Sequence, residues 1–321
     1  MRIPLPEALK KVLRPTGQWL AIALPAPQQV MDVKLIAGER EFDVTLNSAV
    51  AAMRPFIVRV GLDAELKAAT RQVPGPRLQL VDRQLARVLG VLQLRHLRDW
   101  EAGDAEMALF EVASGTNYCV PWSRRHWDSW MYRRAARHAR PENRIMLPAA
   151  VEQMLTFYLC PRPVFFVSVD DGQHSNLFPM DLVGPMLPER FTLALRTTSP
   201  SVETMKSSRR IALGDVSGSD CQIAYQLGAH HKKQQTDWSA LPFQALRSKE
   251  FSLRIPDIAL RIRELELLDF QTVGSHTLFV ARICSEQPLR TAPALFHTCG
   301  AQQRFRAALG QPFAEALRSV G

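Results

Sequence analysis

Through residue 120, apolar side chains come in short runs separated by polar breaks, without the 3.6-residue recurrence of a helix face. Runs at 19–24, 31–36, 42–46, 56–60, 78–81, 88–94 and 107–112 predict strands. Leu78 and Leu80, then Val91, Leu92 and Leu94, flank a polar turn as a hairpin does. Asn47 is placed to cap a short helix running through Arg54, which Pro55 stops.

From residue 121 the pattern changes period. Trp127, Trp130, Met131 and Arg134 fall at i, i+3, i+4 and i+7, predicting an amphipathic helix over 122–140. It reads in two ways: tryptophans packed on the protein body with arginines in water, or a basic aromatic surface for nucleic acid or an acidic partner. A second helix is predicted over 148–158, with Pro148 in its first turn and Pro161 and Pro163 beyond its end. The remainder alternates strand and helix signals. Strands are predicted at 164–169, 177–183, 191–195, 211–213, 260–270 and 277–284, with Asp171-Gly172 turning the first hairpin. Helices are predicted at 201–207, 219–228 and 302–320. No repeat of fixed period is visible. The fold class is mainly β with helices (α+β), organised as a β-rich part over 1–120, a basic helical connector over 121–158 and a second β-rich domain over 159–321.

Composition narrows the picture. The 321 residues leave room for two domains, and 46% hydrophobic with 22% charged residues excludes wholesale disorder. Forty Lys plus Arg against 31 Asp plus Glu give a net charge of +9, suiting an anionic partner: a phosphate cofactor, nucleic acid or a membrane surface. Five cysteines without a CxxC pair argue against a secreted disulfide framework and point to a reducing cytoplasm. No apolar run reaches the roughly 18 residues of a membrane span. The run at 19–26 is interrupted by Pro25 and reads as a strand, not a signal peptide. His230-His231 lacks ligand-spaced carboxylates or cysteines, so no metal is assigned.

Three segments carry candidate chemistry. Thr197-Thr198-Ser199-Pro200-Ser201 follows a strand and opens a helix, so hydroxyls and backbone N–H groups converge on an anion site, with Lys206, Arg209 and Arg210 adding charge. The same pattern also suits an ordinary capped helix. Asn176-Leu177-Phe178-Pro179-Met180-Asp181 brings polar groups and a proline into an apolar strand, which marks an edge or bulge where backbone groups meet a ligand. Gly274-Ser275-His276 delivers a titratable ring to the start of a long strand.

In this order the segments resemble the flavin reductase-like family, whose domain is an FMN-binding split β-barrel. The resemblance rests on Pro161-Arg162-Pro163-Val164, Asn176 to Pro179, Thr197 to Thr204, and Gly274-Ser275-His276-Thr277-Leu278-Phe279, spanning residues 159–286. It implies FMN with its phosphate at Thr197, Thr198, Ser199, Ser201 and Lys206. The flavin edge would lie along Asn176, Leu177, Phe178, Pro179, Met180 and Asp181. His276 would be the catalytic residue near the ring or an incoming nicotinamide. NAD(P)H would be the electron donor, a flavin-dependent oxygenase or other acceptor the partner, and a homodimer the assembly. The sequence departs from the family at Met180-Asp181, where an anion beside the ring opposes the reduced anionic flavin, and at Ser275. These departures keep a non-catalytic flavin-binding or scaffold role open. The first 120 residues resemble no family.

Overall fold

The computed structural model describes residues 19–25, 30–73, 75–103, 105–138, 148–186, 189–312, 314 and 316–320. After β1 (Trp19–Leu24) come β2 (Met31–Ala37), β3 (Arg40–Asp43), β4 (Ser48–Met53), β5 (Phe56–Gly61), α1 (Ala64–Gln72), β6 (Arg77–Asp82), β7 (Arg87–Ala102) and β8 (Ala105–Asn117). Helices α2 (Trp122–His138) and α3 (Pro148–Phe157) connect to β9 (Arg162–Pro163). Then follow β10 (Phe165–Asp170), β11 (Ser175–Met180), β12 (Val183–Met186), β13 (Arg190–Arg196), α4 (Ser201–Ser208) and β14 (Arg210–Asp215). The chain continues through α5 (Cys221–Gln226), β15 (Ala245–Arg247), β16 (Arg254–Pro256), β17 (Arg261–Val273), β18 (His276–Pro288), β19 (Ala294–Cys299), α6 (Gly300–Ala308) and β20 (Ala316–Val320). The protein is mostly β with some helices.

Two seven-stranded antiparallel sheets dominate, ordered β3-β2-β6-β7-β8-β5-β4 and β11-β10-β14-β17-β18-β13-β12. In chain order these are one topology written twice: two hairpins, a helix, a single strand and a long hairpin. The matching single strands even read alike, RLQLVD in β6 and RIALGD in β14. Both put leucine or isoleucine on the same alternate positions, which are fully buried in each sheet.

The halves meet across a pseudo-two-fold. The long hairpins turn at Ala102↔Ala105 and Val273↔His276. Counted from those tips, Arg59 opposite Leu109 and Thr192 opposite Val280 hold the same position. These counterparts touch: Arg59 Nε donates to Thr192 Oγ1 at 2.7 Å. Their hairpin partners, Ala49 and Gly184, also touch, since a Cβ on Gly184 would lie 2.6 Å from that of Ala49. Contact between like positions is what a two-fold axis produces. A smaller sheet, β20-β1-β19-β9, ties the first strand to the last part of the chain.

Several local expectations are corrected. Residues 48–53 form strand β4 instead of a helix, because the Ala-Val-Ala-Ala run is buried between the halves. Asn47 Nδ2 bonds Gly61 O (2.9 Å) in place of capping. The strand expected over 177–183 is broken between β11 and β12. The helix expected over 302–320 ends at Ala308; after Gly310 with φ 71°, β20 pairs with β1. Residues 139–140 of the helix expected over 122–140 lie outside the described residues. Its face is the reverse of the packed-tryptophan expectation: Trp122, Trp127 and Trp130 are exposed, while Asp128 is buried with Arg124 beside it (3.1 Å).

Candidate functional site

Two cavities in the second half share one lining residue. One, of ≈ 230 Å³, is lined by Arg196, Thr198, Ser199, Pro200, His231 and Lys232 at the turn between β13 and α4. The other, of ≈ 250 Å³, is lined by Pro179, Met180 and Asp181 at the end of β11 and by Tyr225, His231 and His297, among others. His231 lines both.

The turn forms because Ser199 N bonds Arg196 O (2.8 Å) and Val202 N bonds Ser199 O (3.0 Å), leaving Thr197 and Thr198 exposed. Pro200 at the helix cap supplies no side-chain bond to the first turn of α4. The segment between β14 and β17 roofs the turn, held there by two side chains. Ser199 Oγ donates to His231 O at 2.5 Å. Asn176 Nδ2 donates to His230 O and Lys233 O, both at 2.9 Å, and to Ser201 Oγ at 3.0 Å, while its carbonyl accepts from Thr236 Oγ1. Asn176 and Ser199 therefore fasten the roof, and Ser201 accepts from Asn176. Exposed Thr198, with Arg196 and Lys232, is what the cavity presents to an anion.

At the other end a chain of hydrogen bonds runs along the wall. Tyr225 Oη lies 2.6 Å from His297 Nε2, and His297 Nδ1 lies 2.8 Å from Asp181 Oδ2. Tyr158 Oη donates to the same carboxylate oxygen at 2.9 Å. Burial opposes ionisation of Asp181, but the hydrogen bond and charge of His297, with the Tyr158 hydroxyl, outweigh it and hold its pKa below the ordinary value. Burial pushes the Tyr225 phenol up, so it stays protonated at neutral pH. Burial lowers His231, whose Nδ1 lies 2.7 Å from Gly228 O. The site thus combines a cationic, hydroxyl-bearing end with an end able to hold and move a proton.

The structure separates other sequence candidates from these cavities. Leu177 and Phe178 are fully buried in the core. Lys206 pairs with Glu203 (2.8 Å) and lies over the Phe270 ring, away from the turn. His276 lines neither cavity; it is buried against the first half, with Nδ1 2.9 Å from Ser275 Oγ and 3.5 Å from Met53 N. Sequence reasoning did not single out Tyr225, His231, Lys232 or His297 as site residues. The basic run His230-His231-Lys232-Lys233 is a local signal for two of them; His297 lies within an otherwise apolar strand and carries none. Among the described residues no group of three His, Cys, Asp or Glu side chains is placed to hold a metal, and no helix is long and apolar enough to cross a membrane.

No family model and no curated protein matches the chain. Among solved structures it is similar to an FMN-binding protein from Thermus thermophilus, at 21% identity and TM-score 0.36, over 40% of this chain and 71% of that one. It is similar to an NADH:FAD oxidoreductase from Streptomyces globisporus at 14% identity and TM-score 0.41, over 49% of this chain and 90% of that one. A flavoredoxin from Methanosarcina acetivorans is similar at 13% identity and TM-score 0.36, over 40% of this chain and 69% of that one.

Proposed function

We propose that the two cavities walled by His231 together hold FMN and that the protein is an FMN-dependent oxidoreductase of flavin reductase-like character. The observation that carries this reading is that His231 is shared by a cationic hydroxyl turn and a strand-walled cavity, which suits a phosphate on one side and a flat heterocycle on the other. Arg196, Thr198 and Lys232 would hold the phosphate; Pro179, Met180 and Asp181 would border the ring. When bound, FMN supplies two-electron chemistry between NAD(P)H and an acceptor, such as a partner oxygenase. The chain's own part is to orient the group, exclude water and carry protons along Asp181, His297 and Tyr225. We assign that role to these three in place of His276. The homodimer implied by the resemblance is read here as a pairing made within one chain, because β4 already packs on β12 and β13 and Arg59 of β5 bonds to both. The N-terminal β-rich part thereby gains a role as the pairing half, and the connector over 121–158 joins the two.

The test is FMN titration of the full chain followed by visible absorption. The Thr198→Ala/Lys232→Ala protein should bind FMN at least about tenfold more weakly, as expected when a hydrogen bond and a charge acting on an anionic group are lost. Absence of flavin uptake by the unmodified protein, or unchanged affinity in the double variant, refutes the assignment.

A further inference from the structure

A third cavity, of ≈ 340 Å³, lies between the halves, lined by Thr45 and Leu46 from the first and by Arg162, Gly184, Pro185 and Phe191, among others, from the second. Strand β19 runs between it and the proposed flavin cavity: Ala294 and Phe296 line this one, Leu295 and His297 the other, as alternate residues of a strand must, and Val164 lines both.

Its charge does not balance. Of the charged residues lining it, three are arginines and one, Asp215, is a carboxylate. Arg263 pairs with Asp215 at 2.5 Å and with Glu286 at 2.7 Å, and Arg261 with Glu286 at 3.0 Å, so the lining charge left without a counter-ion is that of Arg162. Arg162, 7% exposed, has no salt-bridge partner among the described residues. Its Nη1 donates to Ser48 O at 3.0 Å, and its guanidinium lies 3.9 Å from the centroid of the Phe157 ring. Nε and Nη2 are buried without any partner. Those two nitrogens form one edge of the guanidinium, whose parallel N–H bonds match the two oxygens of a carboxylate.

A second uncompensated arginine sits behind the wall. Arg59 is fully buried; its Nη2 donates to Gly184 O (2.8 Å) and Pro185 O (2.6 Å), both cavity residues, and its Nη1 has no partner. Two buried like charges without a counter-ion are costly, and guanidinium groups do not relieve the cost by losing protons. Burial and the Arg162 charge push Arg59 down to about 9, a direction that shows the electrostatic strain.

We propose that this cavity is a second ligand site, for a small carboxylic acid with an apolar or aromatic body, whose carboxylate pairs with the Arg162 guanidinium. The apolar body is inferred from Phe165, Phe191 and Phe296 in the walls. An aromatic acid there places one negative charge against the unbalanced arginines and its ring against the phenylalanines.

Benzoate is the probe, titrated calorimetrically into the full chain with and without FMN. Saturable binding of one benzoate per chain is the expected result, with benzamide at least about tenfold weaker because it lacks the charge. Arg162→Lys keeps a charge but loses the fork and should weaken benzoate by a similar factor. No benzoate binding, equal binding of benzamide, or unchanged affinity in Arg162→Lys overturns the proposal. Inorganic phosphate binding as tightly as benzoate overturns the apolar body, and competition between benzoate and FMN overturns the separate location. Should Arg162→Lys not fold, the benzoate and benzamide comparison on the unmodified protein decides. The calorimetric signal without FMN is independent of the flavin reading, so either reading can fail alone.

Discussion

His276 makes folding sensitive to acid, and the size of the effect follows from its surroundings. It is 2% exposed, and burial together with the Arg196 charge pushes its pKa down to about 4. In the unfolded chain the ring titrates near 6.5, so between these values the unfolded state binds the proton and the folded state does not. Stability from this residue is therefore present above pH 6.5 and is lost as pH falls toward 4. The full gap of ~2.5 units corresponds to ~3.4 kcal/mol, of which about 2 kcal/mol is already lost at pH 5. Replacing His276 with Gln removes the titrating group while keeping an acceptor for Met53 N. Urea unfolding of both proteins at pH 8 and pH 5 measures the difference. The unmodified protein should lose about 2 kcal/mol more than His276→Gln between the two pH values. His230 and His231, also lowered by burial, remain in both proteins and cancel. Equal losses would refute the assignment of an uncharged, buried His276.

Two further outcomes follow from the pairing of the halves. Gly184→Ala puts a Cβ 2.6 Å from the Ala49 Cβ and 3.1 Å from Arg59 Nη2, so it should lower the unfolding free energy by about 1–3 kcal/mol. Ala49→Gly in the same chain should recover part of that loss, and a neutral single variant would contradict the close approach. Sedimentation should give a species of 36.2 kDa that takes up one FMN; a stable dimer, or two FMN per chain, would contradict a pairing made within the chain.

The strands were legible wherever burial on one or both faces left an apolar run, as in 56–60 and 107–112. Residues 48–53 misled because Asn47 before an alanine-rich segment looks like a helix start, while burial between two sheets decides for a strand. Helix α1 was overlooked although its local signals were present: Asp63 at the cap, Glu65 in the first turn and Arg71 in the last. The duplication stayed hidden because matching positions share burial more than identity; Arg59 against Thr192 is a case, and RLQLVD against RIALGD is one place where the repeat surfaces in letters. The hydroxyl turn was legible because its residues are consecutive. The chain from Tyr225 through His297 to Asp181 was not, because it joins three distant segments, and nothing near Arg59 or Arg162 announces that the two are buried together.

The duplicated topology also explains why the two halves should not bind alike. In each, a helix starts just after the fourth strand, and its first N–H groups need an acceptor. In the first half Asp63 provides it: the carboxylate accepts from Leu66 N at 2.8 Å, so the anion at that helix start is part of the chain. In the second half Pro200 stands at the cap without a side-chain bond, Val202 N and Glu203 N turn to the backbone oxygens of Ser199 and Pro200, and Thr198, Arg196 and Lys232 surround the cavity beside it. A phosphate approaching the first turn meets a fixed negative charge; one approaching the second meets hydroxyls and cations. One topology thus yields a side-chain-capped helix in one half and a cavity lined by a hydroxyl and two cations in the other. The difference lies in a few residues after β5 and β13, and that asymmetry is why a single FMN per chain is the stoichiometry to expect.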